Sequence, residues 1–166
     1  MTKTDISVYH KTYMLETPHI VVGAAIALKV VNPALAIPLA FGSHFLLEKI
    51  PHWNPHLNTE TEKYGKPTKK STLITTVDAT LALGLGLFIA SRVLPDTGHF
   101  VTIIAASFAA ALPDIVEAPY LFLNMRSEII KRWIYFQKSI QADIALVPGL
   151  LTQLVTVIAA FWWIFS

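Results

Sequence analysis

Cysteine is absent from the 166 residues, which excludes a disulfide framework, a thiolate metal site and a cysteine nucleophile. Charge is scarce as well. Asp, Glu, Lys and Arg make up 14% of the chain, against about 25% in a soluble domain of ordinary composition. Net charge is only +2, so no electrostatic footprint supports a nucleic-acid partner. There is no G-x-S-x-G elbow and no Gly-rich phosphate loop. The "LGLGL" at 83–87 lies inside an apolar run, where small residues serve helix packing. No internal repeat recurs at solenoid spacing. What the chain has in excess is apolar: 54% hydrophobic residues and a mean hydropathy of +0.53. This composition predicts a single integral membrane domain over 1–166, all-α, with membrane lipids as its surroundings.

Crossing a bilayer takes about 20 apolar residues. Segments 73–93, 100–123 and 144–165 are long enough. Upstream, 20–31 and 34–50 are separated by Asn32-Pro33, a helix stop followed by a helix start. The first of these, at 12 residues, reaches only about 18 Å as a helix. The pair is therefore expected to be a short or re-entrant hairpin, giving about five membrane segments in all. The polar opening, "MTKTDISVYHKTYMLETP", lacks the basic-then-apolar order of a secretory signal. Lys29 also interrupts the apolar run before the "ALA" at 34–36, so no cleavage is expected there.

Lysine and arginine set the orientation. Lys3 and Lys11 precede the hairpin, Lys49, Lys63, Lys66, Lys69 and Lys70 follow it, and Arg126, Lys131, Arg132 and Lys138 lie after the fourth segment. Only Lys29 and Arg92 fall on the other side. The expectation is a multi-pass protein of the cell (inner) membrane with a cytoplasmic N-terminus and Trp162 and Trp163 at the far interface. In 126–142, Ile129, Ile130, Trp133, Ile134, Phe136 and Ile140 share one helical face, the pattern of an amphipathic helix on the membrane surface or a simple extension of a span. The stretch 56–71, "HLNTETEKYGKPTKKS", is the one low-hydrophobicity segment and reads as a connection.

Against this apolar background the ionisable residues stand out. In "SHFLLEKIPHWNPH", His44, Glu48 and His52 recur every fourth residue and form one slowly turning helical stripe, with His52 just beyond the helix end after Pro51. A histidine and a carboxylate four residues apart on a helix are placed to share a metal ion. Asp78 and Asp114 lie inside spans, where an unpaired carboxylate costs about 2.5–3.5 kcal/mol on insertion scales. Glu117 follows Asp114 by about one turn, and His19 begins the first apolar segment. On the charge-derived topology these groups share one half of the membrane. Histidines or a bound cation are their natural partners, because no Lys or Arg lies at that depth apart from Lys49. Pro113 and Pro119 are expected to kink the fourth segment around Asp114 and free backbone carbonyls beside it. Thr152 and Gln153, beside Pro148 and Gly149, are further polar neighbours. His10, His56 and His99 read as ordinary loop or tail residues.

These residues resemble the membrane-bound metal-dependent hydrolases of bacteria and archaea, the LexA-regulated inner-membrane hydrolase type. "TPHIVVGAA" resembles that family's opening His-x-x-x-Gly segment through His19 and Gly23. "HFLLEKIPH" resembles its His-x3-acid-x-x-Pro-His element through His44, Glu48 and His52, and "LPDIVE" its Leu-Pro-Asp motif through Asp114. The resemblance implies a compact helical membrane fold and hydrolysis. Two features depart from it: Val116 and Glu117 replace a second Asp and a His, and Gln137 and Gln141 occupy the region of a late His-Arg motif. Fewer histidines imply an oxygen-richer site, or one metal rather than two.

The reading that follows is a metal-dependent hydrolase of a lipid or lipid-linked ester or phosphoester at the cytoplasmic leaflet. His44, His52, Asp78 and Asp114 are the expected ligands, with His19 next, and Glu48 or Glu117 is the expected general base. Zinc is favoured, with manganese or magnesium as alternatives. The same groups would also serve an ion- or proton-coupled transporter, or a non-catalytic scaffold with a polar core. Oligomeric state is not legible.

Overall fold

The structure, a computed structural model, describes residues 14–166; Lys3, His10 and Lys11 lie outside that range. The described residues form helices α1 (Glu16–Lys29), α2 (Pro33–Leu47), α3 (Leu57–Tyr64), α4 (Lys69–Ser91), α5 (Thr97–Ile115), α6 (Ala118–Phe122), α7 (Glu128–Ile140) and α8 (Leu146–Phe165). No strand occurs among them; the one isolated bridge pairs His52 with Asp143.

Helix α1 is the hub, packed against α2, α4, α5 and α8. Its buried face is small: Val21, Gly23, Ala24, Ala25 and Ala27. A Cβ on Gly23 would come within 2.7 Å of Ala110 Cβ and 3.0 Å of the Ala106 carbonyl oxygen of α5. The two backbones therefore touch, as small residues permit in membrane helix pairs. The core that results, including Ala36, Ala40, Ile89, Ala90, Ile103 and Ala106, is built mostly of alanine. Gly23→Leu is expected to destabilise the bundle by several kcal/mol, beyond the ~1–3 kcal/mol of ordinary overpacking, because helix axes and not only rotamers must move. A thermal melt in detergent reads this directly.

Three helices, α4, α5 and α8, are long and apolar enough to cross a membrane. Their outward sides carry the exposed apolar residues that lipid would cover, among them Leu73, Val77, Leu81, Phe108, Val155 and Ile158. Helices α1 and α2 have 14 and 15 residues, about 21 and 22 Å of rise, below the ~30 Å hydrocarbon thickness. They form the short arms of a hairpin, so five full spans are not what the helices display. The turn between them is as expected: Asn32 Oδ1 accepts the Ala34 N–H at 2.9 Å and Pro33 opens α2.

The fourth apolar segment is shorter than its hydropathy suggests. Helix α5 stops at Ile115, and α6 begins at Ala118 with Pro119 in its first turn. Pro113 and Pro119 interrupt the backbone ladder, and the Pro113 carbonyl instead accepts the Trp133 Nε1 hydrogen at 2.9 Å. The polar connection after α2 is likewise not all loop. Helix α3 fills much of it and ends at Gly65, whose φ of 79° is left-handed, a conformation glycine adopts without strain. Glu60 of α3 then accepts the Thr68 N–H at 2.7 Å and the Ser71 hydroxyl at 2.8 Å, so it holds the start of α4. The amphipathic segment is α7. Trp133 and Phe136 pack with Phe45, while Ile129 stays 81% exposed.

Hydrogen bonds sort the helix ends. Leu15 N–H bonds Gln153 of α8 and Glu16 N–H bonds Asp78 of α4, whereas His99, in the first turn of α5, bonds the Ala27 carbonyl near the end of α1. Arg126 reaches Gly65 O, and Lys138 pairs with Glu62. The basic residues of α3 and α7 and of the segments flanking them thus gather at the end that holds the polar cluster.

Candidate metal centre

At that end, three helices converge on a buried knot of ionisable groups. His19 comes from the first turn of α1, His44 from the last turn of α2, Glu48 from the α2 C-cap, and Asp114 from the last turn of α5. Each offers one donor atom, and the four atoms lie within 4.8 Å of one another. His19 Nε2 is 3.1 Å from Glu48 Oε1, and His44 Nε2 is 3.8 Å from Asp114 Oδ1. His19, His44 and Glu48 are fully buried.

The local sequence explains the convergence. The i, i+4 spacing sets His44 and Glu48 on one face of α2, and α5, which runs through Pro113 and ends at Ile115, carries Asp114 in its last turn. The His19 and His44 rings stack, with centroids 4.2 Å apart.

The donor set fits a divalent cation. Ligands around a tetrahedral ion with bonds of about 2.0–2.2 Å stand roughly 3.3–3.6 Å apart, and the two measured separations bracket that spacing. Glu48 Oε2, Asp114 Oδ2 and His19 Nδ1 are buried with no hydrogen-bond partner. Buried polar atoms in that state are costly, and a cation relieves the carboxylates. His44 Nδ1 lies 2.9 Å from the Ala110 carbonyl and its Nε2 3.0 Å from Gln137 Oε1. Gln137 Nε2 donates to Asp114 Oδ1 at 3.1 Å and Glu117 Oε1 at 3.2 Å. A metal at His44 Nε2 would take the place of Gln137 there, with the Ala110 carbonyl still orienting the ring.

The other expected site residues are placed as follows. His52 lies outside the four-donor set: its Nε2 stands 3.7 Å from Glu48 Oε2 and its Nδ1 bonds the Ile50 carbonyl at 2.7 Å. Asp78 is also outside it. Its carboxylate accepts the Glu16 N–H and the Thr17 hydroxyl, each at 2.6 Å, and so caps the start of α1 from α4. Glu48, expected as the general base, stands instead among the donors. Glu117 adjoins the set through Gln137.

Two participants were not anticipated. Gln137, fully buried on α7, joins His44, Asp114 and Glu117; its signal was a glutamine on the apolar face of an amphipathic helix. Glu16, read as part of a polar tail, lies in the first turn of α1, within hydrogen-bonding reach of Asp114. Gln153 braces the whole arrangement, accepting from Leu15 N–H at 3.0 Å and donating to the Trp53 carbonyl at 2.7 Å.

No family model, no curated protein and no solved structure matches this chain.

Proposed function

We propose that the protein is a membrane-embedded, metal-dependent hydrolase acting on an ester or phosphoester of a lipid or lipid-linked molecule at the cytoplasmic leaflet. The observation that carries the reading is the convergence of His19, His44, Glu48 and Asp114 on one buried point. His19, His44, Glu48 and Asp114 would hold a divalent ion there, with zinc favoured by the mixed nitrogen and oxygen donors, and the ion would supply Lewis acidity and lower the pKa of a bound water. Asp114 and Glu48 neutralise its charge. The Ala110 carbonyl and Gln137 orient His44, as outer groups do for ligating histidines. Glu117, buried beside the set, is the group to take a proton from the attacking water. The motif resemblance to membrane-bound metal-dependent hydrolases supports the same chemistry.

Purified protein in liposomes should hydrolyse a lipid from a panel of phospholipids, lysolipids, acyl lipids and polyprenyl phosphates, with an absolute metal requirement. Complete inertness of metal-loaded protein across the panel would defeat the proposal. The basic residues at the site end support a cytoplasmic placement of that end, and the cysteine-free sequence makes it testable. Cysteines at Lys66 and Glu128, both exposed at the site end, should be protected from an impermeant thiol reagent in intact cells, while one at Thr97 should react. The reverse pattern would put the site on the outer face.

A further inference from the structure

A cavity of about 390 Å³ adjoins the candidate metal centre, at the small end of the range for ligand sites, about 300–1,000 Å³. One end is polar: Asp114, a member of the four-donor set, and Glu117 line it. Thr75 stands at the same end, and its Oγ1 is buried with no hydrogen-bond partner. From there the cavity continues as a slot between α4 and α5, which pack more closely against α1 than against each other. Gly86, Ser107 and Ala111, all buried, make its floor, while Ala79, Leu83, Leu87 and Phe108, all exposed, make its rims. Positions 78 to 87 of α4 alone give it about 13 Å of helix rise. The rims belong to the outward apolar faces that lipid would cover. The slot is therefore open sideways to the bilayer and leads to the metal donors.

We propose that one acyl chain of a bilayer lipid enters this slot from the side and lies along α4 and α5, with the lipid's ester or phosphoester group at Asp114 and Glu117. The slot offers no hydrophobic gain over the bilayer, since lipid tails are as apolar as its walls. What it supplies is position. A chain held in a groove that ends at the metal donors presents its first polar group to them, and a held geometry replaces random encounter in the leaflet. Thr75 Oγ1 is placed to donate to a carbonyl or phosphoryl oxygen of that group. A polyprenyl chain, with a methyl branch on every unit, suits a cavity of this volume less well than an unbranched one. The inference rests on the function proposed above and deepens it, assigning the route by which the lipid arrives and the residues that select its tail.

The test is photolabelling of the full chain in phosphatidylcholine liposomes, with chelator present so that turnover plays no part. One probe is phosphatidylcholine with a mid-chain diazirine in one acyl chain; the other is a polyprenyl phosphate with a diazirine at the same depth. Adducts are mapped by peptide mass spectrometry. The acyl probe should label the buried floor, Gly86 and Ser107, as well as Val155 and Ile158 on the outward face of α8, which any surrounding lipid reaches. Ala79→Trp and Leu83→Trp narrow the slot from exposed positions. Each should cut floor labelling about fivefold or more, as overpacking a filled groove does, and leave α8 labelling unchanged. Unchanged α8 labelling also shows that the variant is folded and inserted. A floor left bare while α8 is labelled, floor labelling unaffected by both variants, or floor labelling by the polyprenyl probe alone would overturn the proposal. Metal-dependent lipid hydrolysis by a protein whose floor stays bare would defeat this inference alone, whereas floor labelling of a protein that takes up no metal would defeat the hydrolase reading alone.

Discussion

Asp114→Ala is expected to remove metal-dependent hydrolysis, with a fall in kcat/KM of at least about a thousandfold, because the several kcal/mol a metal contributes to a transition state vanish when its seat is broken. His44→Ala should do the same. Both residues belong to the four-donor set, and Asp78, the other carboxylate inside a span, is committed to the start of α1. His99→Ala is the control. Its imidazole bonds the Ala27 carbonyl at the opposite end of the bundle, so activity should stay within about twofold of wild type, as expected for a site with no contact to the reacting atoms. Loss of activity in His99→Ala equal to that in His44→Ala would mean the histidines act through stability rather than chemistry.

The second large effect concerns the fold. A cation bound only by the native state stabilises it by RT ln(1 + [L]/Kd), about 4 kcal/mol at a thousandfold excess over Kd. For a chain of this size each kcal/mol moves Tm by roughly 2–4 °C, so strong chelation in detergent should lower Tm by about 10 °C. Asp114→Asn should abolish the chelator's effect. It keeps the shape and the Gln137 neighbourhood but weakens an anionic ligand. A chelator that leaves the wild-type Tm unmoved would favour a proton-sharing or packing role for the cluster.

Much of this arrangement is legible in the amino-acid sequence because local rules fix it. The Asn32-Pro33 punctuation predicts the α1–α2 turn, the four-residue spacing of His44 and Glu48 predicts a shared face, and the two prolines predict a disturbed helix around Asp114. Two charged residues in spans are correctly read as needing partners, but which partner each finds is a tertiary matter. Asp78 looks as good a ligand as Asp114 in one dimension. It caps α1 instead because α1 begins at Glu16, earlier than hydropathy suggests, and presents its unsatisfied N–H groups to α4. Gln137 is named in the sequence only as a departure from a motif, and its glutamine on the apolar face of α7 is a weak signal; its partners emerge only when α7 folds over the ends of α2 and α5 and brings it within 3.0 Å of His44. Hydropathy also over-extends α5 through 123, since an apolar run does not reveal that two prolines divide it.

The most direct test is the metal content of the protein purified without chelator, by elemental analysis, for wild type and His44→Ala side by side. The four-donor geometry predicts about one equivalent of a divalent transition metal, zinc foremost, in the wild type. In His44→Ala, with one of two imidazole ligands gone, it predicts less than about a tenth of that. A folded wild type that carries no metal and takes none up from a buffered zinc solution would contradict the account.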